Sequence, residues 1–407
     1  MEEIEWLKLP QDLQHEFFRL AEDESRRIAP VVEELRRRLA ELRKELLPLM
    51  EPLPSTQELS WVAAVDGSRS PRLSERLGLR CGVFTVGATL LRGLERKDEF
   101  RAGVFKRRQA LSAERSRYFF ELLMSAEERK LALEMLSRAD LVILDGSFQG
   151  FMYPVNRMKK EGLFHEQEHR VLREAYDATL KLLKSGRAIG VIKRSHTRAI
   201  GGYLALRNSK DPLALVIDKL TLSYIMPPGS FFDYSKLLRE GVPVPVYTHV
   251  ARWAQQGSLQ NQLPEGAGEK GIGITPEQVE EAVLRRARET VYEPFRSLDL
   301  DSSEFEGLKR LQVRAYPYLP PCEIEYPSSL GRERLLELLG QPHFFNEGTN
   351  LPLALDLVDS VIGLTAKFTD EFVGEIEGRV LELAGKDRGS QEAIRIFFSL
   401  LNPQKPF

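Results

Sequence analysis

A chain of 407 residues, 42% hydrophobic and 29% charged, has enough apolar material for a large core and enough charge for a soluble surface. It suits one large domain with insertions, or a core with a helical extension. The net charge of −2 excludes a globally basic nucleic-acid binder, so any DNA contact must run through local patches. Two cysteines, Cys81 and Cys322, stand outside any CxxC or Cys/His cluster, which excludes a structural zinc site and a disulfide framework. The opening MEEIEWLKLPQ lacks the basic and apolar regions of a leader, and no apolar run has bilayer length. The expected setting is a reducing cytoplasm, with no membrane partner.

In chain order, residues 10–50 are predicted helical, in two segments. Ile28, Val32, Leu35, Leu39, Leu42, Leu46 and Leu49 alternate spacings of four and three, the seam of a left-handed coiled coil. Two readings stay open for it: a helix packed on its own core, or an arm for dimerisation. Strands are expected at 61–65 and 79–92, a helix at 112–138, a short buried strand at 141–144, a helix at 165–185 and a strand at 188–192. Residues 214–218 and 246–253 are predicted as strands, and 255–275 as an exposed loop. A helix is expected at 276–288, an edge strand interrupted by prolines at 311–324, and one long helix at 351–383. This alternation argues for an α/β fold with a mixed sheet.

One motif occurs twice: an apolar strand ending in Asp-Gly-Ser, at Asp66 and again at Asp145. Strands of an α/β sheet that end in carboxylates set them at one edge, where ligands bind. Two such groups with a third from a helix hold hard divalent cations, the arrangement used for phosphodiester cleavage. Against this stands ordinary turn and helix-cap chemistry, for which Asp-Gly and Asp with Ser are equally suited.

VAAVDGSRS, VILDGSF, GVIKRS and the late NLPLALDLVDSVIGL, with the looser VRAYPYLPPCEIEYPSS, resemble in order the blocks of the NurA nucleases, over roughly residues 60–375. The resemblance implies an RNase H-like, PIWI-like mixed-sheet core with flanking helices. The arm would span 1–55, the nuclease domain 56–390 with insertions around 92–117 and 255–290, and an apolar tail 391–407. It implies a Mn²⁺-dependent deoxyribonuclease, with Mg²⁺ as the alternative ion. The activity would be 5′–3′ exonuclease and single-strand endonuclease, on single strands and duplex ends, in end resection and recombinational repair. The partners would be a HerA-type hexameric ATPase and a second copy of the chain.

Carried over by residue, Asp66 and Asp145 match the two Asp metal ligands. The intervening Glu is taken as Glu121, with Glu114 second and Glu127 and Glu128 left open. Lys193, after the strand at 188–192, matches the family's post-strand Lys, there to contact the scissile phosphate or stabilise developing negative charge. The chain departs from the family late, where relatives carry a His after Pro-Leu. Here Asp356 and Asp359 follow Pro352-Leu353, and either is a candidate metal ligand on one helix face. His343 is out of register. His196, His249, His165 and His169 read as structural or surface residues.

Residues 92–117 hold nine basic and four acidic side chains, interleaved with Phe100, Phe105, Tyr118 and Phe119. Arg101, Lys106, Arg107, Arg108 and Arg117, with Arg194 beside Lys193, are therefore the expected DNA contacts. The aromatics fit base stacking and core packing equally. Two rival functions stand beside the nuclease. One is an actin- or sugar-kinase-like phosphotransferase, for which only Gly201-Gly202 offers a glycine pair and no Walker A pattern exists. The other is a non-catalytic DNA-end adaptor for the ATPase, which the missing late His favours. The apolar tail, Ile396, Phe397, Phe398, Leu400 and Leu401, suits either a partner contact or the core.

Overall fold

The computed structural model describes residues 8–108, 112–162, 164–262 and 275–401. In chain order the elements are α1 (Gln11–Leu46), β1 (Met50–Pro52), β2 (Val62–Arg69), β3 (Ser74–Glu75), β4 (Arg80–Arg92), β5 (Glu95–Arg107), α2 (Ala113–Met135), β6 (Leu141–Asp145), α3 (Met152–Lys160), α4 (Glu166–Lys184) and β7 (Ala188–Ile192). Then come α5 (Ala199–Arg207), α6 (Asp218–Ile225), β8 (Ser230–Asp233), α7 (Val244–Gln255), α8 (Pro276–Arg296), α9 (Ser303–Glu306), β9 (Lys309–Arg314), β10 (Cys322–Tyr326), α10 (Arg332–Leu339), α11 (Leu353–Ile362), α12 (Ala366–Ala384) and α13 (Arg388–Phe398).

The strands form one sheet in the order β1-β8-β9-β10-β7-β6-β2-β4-β3, with β5 paired to β4. Its centre is a parallel trio, β2-β6-β7, flanked on both sides by antiparallel pairs. The pleat sends alternate residues to opposite faces. Ala63, Val65, Val142 and Leu144 join the larger core under α2, α4, α5 and α7. Val62, Ala64, Leu141, Ile143, Ile189 and Val191 join a second core with α10 and α11. Asp66 and Asp145 continue the second series, so both lie on the α11 side.

Several expectations change. Residues 10–50 hold one 36-residue helix with Pro30 inside it. Its last turns, Leu42 and Leu46, are buried, while Leu13, Phe17, Leu20, Ile28 and Val32 stay exposed. Residues 246–253 are helical, not extended, because α7 packs on α5. Gly202 lets the backbones meet, and a Cβ there would stand 2.0 Å from the Tyr247 carbonyl oxygen. Gly201 likewise faces Ala214 O at 2.5 Å, so this glycine pair serves helix packing and not a phosphate loop. Residues 214–218 are a 3₁₀ turn leading into α6.

Residues 92–107 complete a long β4–β5 hairpin. The span 311–324 is also a hairpin, with its prolines in the turn and β10 inside the sheet. The helix at 351–383 is broken at Gly363. The loop expected at 255–275 lies mainly in 263–274, outside the described residues. The tail is tied to the core: Leu77 N–H and Gly78 N–H donate to Ser399 O and Phe397 O, both at 2.9 Å, and Phe398 is buried. Among the described residues no helix is long and apolar enough to cross a membrane.

Candidate functional site

Val65 of β2 is in register with Leu144 of β6, the last pair of their parallel ladder, so Asp66 and Asp145 stand side by side there; β2 does not end at Asp66 as expected but runs on to Arg69 against β4. The third parallel strand, β7, ends one residue before Lys193. The turn after Asp145 lies against this strand: Gly146 N–H donates to Val191 O at 2.7 Å, and a Cβ at Gly190 would stand 2.5 Å from Gly146 O. Gly146 itself has a φ of +93°, a conformation that glycine adopts without strain.

The Lys193 ammonium lies 3.4 Å from Asp145, 3.8 Å from Asp66 and 2.9 Å from Asp359 of α11. Its own loop is braced by Lys219, whose ammonium donates to Lys193 O at 2.9 Å. A further carboxylate comes from α2 on the opposite side of the sheet. Glu128 Oε2 stands 3.4 Å from where a Gly67 Cβ would be, so the missing side chain opens its way to the strand end. Glu128 is 5% exposed, as is Asp66, and its Oε1 is buried without a hydrogen-bond partner.

Burial holds both carboxyls above their ordinary range. Glu128 is pushed up to about 7, chiefly by desolvation. Asp66 rises far more, through desolvation and then the charges of Asp145 and Glu128, against the pull of Lys193. Asp145 is raised by burial and restrained by Lys193. Lys193 is itself raised, because the neighbouring aspartates outweigh its desolvation. It therefore stays an ammonium at neutral pH.

The other expected residues fall elsewhere. Glu121 is two turns before Glu128 on α2 and pairs with Arg69 at 3.1 Å. Glu114 and Glu127 are held away, Glu114 at the exposed start of α2 and Glu127 on Lys130 at 2.8 Å. Asp356 turns from Lys193 and accepts from Asn346 Nδ2 at 2.8 Å and from Thr349 Oγ1. The helical spacing of three does not bring both late aspartates to the site, since the 346–350 loop takes one of them. Among the described residues no three carboxylate, imidazole or thiol groups surround one point as a ready-made metal shell. The ammonium of Lys193 is what the aspartates share.

Of the expected DNA contacts, Arg101 is held by Glu99 at 2.8 Å and by Glu134 at 2.9 Å. Arg107 is held by the buried Glu168 at 2.6 Å and lies over Phe119. The local basic surplus is thus partly internal. Lys106, Arg108, Arg117 and Arg194 are exposed. Arg117 lines a cavity of about 400 Å³ with Arg69, Arg72 and Phe120, beside the end of β2. Phe105 and Phe119 are core residues, packed edge to face. His249, in α7, sits on Trp253 and is lowered to about 4 by burial.

Sequence reasoning left Glu128 among the alternatives and missed its setting. The signal available was its position seven residues after Glu121, on the same helix face. It also missed Glu323 and Glu325, which support both site loops from β10.

The sequence pattern of the NurA domain family matches residues 61–265, a span that holds Asp66, Glu128, Asp145 and Lys193. Among curated proteins none matches. The fold is similar to the NurA nuclease from Sulfolobus solfataricus, at 13% identity and a TM-score of 0.48, covering 90% of this chain and 98% of that one. It is also similar to a NurA bound to dAMP and manganese, at 14% identity and a TM-score of 0.39, covering 90% and 98%. A NurA with manganese matches at 14% identity and 0.38, covering 90% and 100%.

Proposed function

The chain belongs to the NurA family, and on that premise we propose that it is a metal-dependent DNA nuclease working where the parallel pairing of β2, β6 and β7 ends. The observation that carries the reading is the convergence of Asp66, Asp145 and Asp359 on Lys193, with Glu128 reaching the same strand end. The strand order β5-β4-β2-β6-β7, an antiparallel meander followed by two parallel strands, supports an RNase H-like core.

The donors suit a hard divalent cation: all are carboxylate oxygens, and the buried, unpartnered Glu128 Oε1 has a lone pair to give. Asp66, Asp145 and Glu128 would hold the ion, with Asp359 at the exposed rim. Relatives have been solved with manganese, which supports Mn²⁺, with Mg²⁺ as the alternative. When bound, the cation supplies Lewis acidity at phosphate and activates water. Lys193, swung from the aspartates, donates to a phosphate oxygen that gains charge as the P–O bond breaks. Arg117, Arg108, Lys106 and Arg194 hold flanking phosphates.

Family membership supports the finer assignments: 5′–3′ exonuclease and single-strand endonuclease action in end resection and recombinational repair, beside a HerA-type ATPase. It also supports a homodimer, and the exposed apolar stripe of α1 offers a surface for the second copy. Two free, buried cysteines suit a reducing cytoplasm.

End-labelled single-stranded and duplex DNA, incubated with Mn²⁺, Mg²⁺ or EDTA, tests the function. Cleavage by wild type that disappears in EDTA and in Asp145→Ala supports it. A folded protein that binds DNA and cuts under no condition, with the ATPase partner present, favours the adaptor.

A further inference from the structure

β10 carries no group that reaches the strand-end site, yet it holds both loops that do. Cys322, Ile324 and Tyr326 face the second core. Glu323 and Glu325 point to the other face and are 0% exposed. Two buried carboxylates on one strand are costly unless fully compensated. Arg310, directly opposite Glu325 in β9, donates Nε at 2.9 Å and Nη2 at 2.7 Å to Glu325, and Nη1 to Glu323 at 2.8 Å.

The other bonds to these carboxylates come from the site loops, save one that Gln312 of β9 donates to Glu323. Glu325 Oε2 accepts from Ser147 Oγ and Phe148 N–H, both at 2.8 Å. Glu323 accepts from Ser195 Oγ and, at 2.8 Å, from Thr197 Oγ1. Ser147 lies two residues after Asp145, and Ser195 two residues after Lys193. Adjacent parallel strands thus end in the same device, a functional residue followed at i+2 by a serine tied to β10. The Lys193 loop is secured at its far end as well. Asp218 accepts from Ala199 N–H at 2.8 Å, and Tyr234 joins Asp218 to Gln312 and so to Glu323.

We propose that Arg310, Glu323 and Glu325 form a positioning clamp that locks the Asp145 and Lys193 loops into one rigid unit. A well-packed apolar cluster would stabilise the core equally or better. The ionic cluster instead fixes two directions at once, through a guanidinium that bridges both carboxylates. The functional consequence rests on the nuclease reading: a displacement of about 1 Å between Asp145 and Lys193 is enough to slow the reaction steeply.

Two readouts on the full chain test the clamp. In Glu325→Gln, amide exchange should accelerate in residues 145–150 and also in 193–198, although Glu325 touches only the first loop. Acceleration confined to 145–150 would overturn the coupling, whether or not the protein cuts DNA. In Mn²⁺ with single-stranded DNA, kcat of Ser147→Ala and of Ser195→Ala should fall about tenfold with KM for DNA unchanged. Ser147→Thr, which keeps the hydroxyl, should recover most of the rate. Folded serine variants with wild-type kcat, or a loss that Thr does not restore, would overturn the positioning role. A wild-type chain that does not cut, beside a clamp intact by exchange, would count against the nuclease reading alone.

Discussion

Lys193 places its ammonium 3.4 Å from Asp145 and 2.9 Å from Asp359, so one cation from β7 neutralises carboxylates from a neighbouring strand and from a helix. Replacing it by Met removes that charge in both states of the site. Cleavage should drop about 10²–10³-fold, the range for one lost electrostatic contact to a developing oxyanion. Without metal, the melting temperature should also fall, because the aspartates then repel one another uncompensated. Melting curves in EDTA beside initial rates in Mn²⁺ read both effects.

Glu128 and Glu121 lie two turns apart on α2 and should separate cleanly. Glu128→Gln takes away the buried oxygen donor and should lower kcat about 100-fold or more. Glu121→Gln loosens only the pair with Arg69, worth up to about 1 kcal/mol at a partly exposed site, and should cut within a few-fold of wild type. Equal losses in the two variants would show that Glu128 has no special place.

The raised carboxyls make metal-free stability depend on pH. Glu128 moves from 4.5 to about 7, so its protonated form favours the fold. Its contribution is fully present below about 4.5 and is lost as pH rises through about 7, to the extent of about 3 kcal/mol. Asp66, raised further, extends the decline to higher pH. In EDTA the melting temperature should therefore fall from pH 5 to pH 8.5, less steeply in Glu128→Gln, which should melt a few degrees above wild type at the upper end. Identical slopes for the two proteins would contradict the assignment of the shift to Glu128.

Asp359→Asn and Asp356→Asn should divide function from structure. The first loses the contact with Lys193 and should change rate and Mn²⁺ requirement with little change in melting. The second weakens two hydrogen bonds that hold the 346–350 loop, about 1–3 kcal/mol for bonds to a charged acceptor, and should cut normally below its melting temperature.

Much of this site is local and so readable in the chain. Asp66, Asp145 and Lys193 each end a short apolar run, and parallel strands must bring such ends to one edge. The third carboxylate is not local. Glu114, Glu121, Glu127 and Glu128 are chemically alike along α2, and only the opening left by Gly67, together with burial, singles out Glu128. Asp359 and Asp356 share a helix face in the sequence, and the choice between them is made by a loop that binds one. The basic stretch at 92–117 read as a surface because charge counts ignore partners, yet Glu134 and Glu168, remote in sequence, take Arg101 and Arg107. α7 read as a strand because Val244, Val246, Tyr247 and Val250 favour extension, while contact with Gly202 of α5 decides for a helix. The prolines near β10 suggested an edge, and they fall in the turn before it.

Anomalous diffraction from crystals soaked in Mn²⁺ locates the ion directly. A peak is expected between Asp66, Asp145 and Glu128, with Lys193 withdrawn from the aspartates, and no such peak in Asp145→Ala. A peak elsewhere, or none at concentrations that support cleavage, would contradict the assignment of these carboxylates as the metal site.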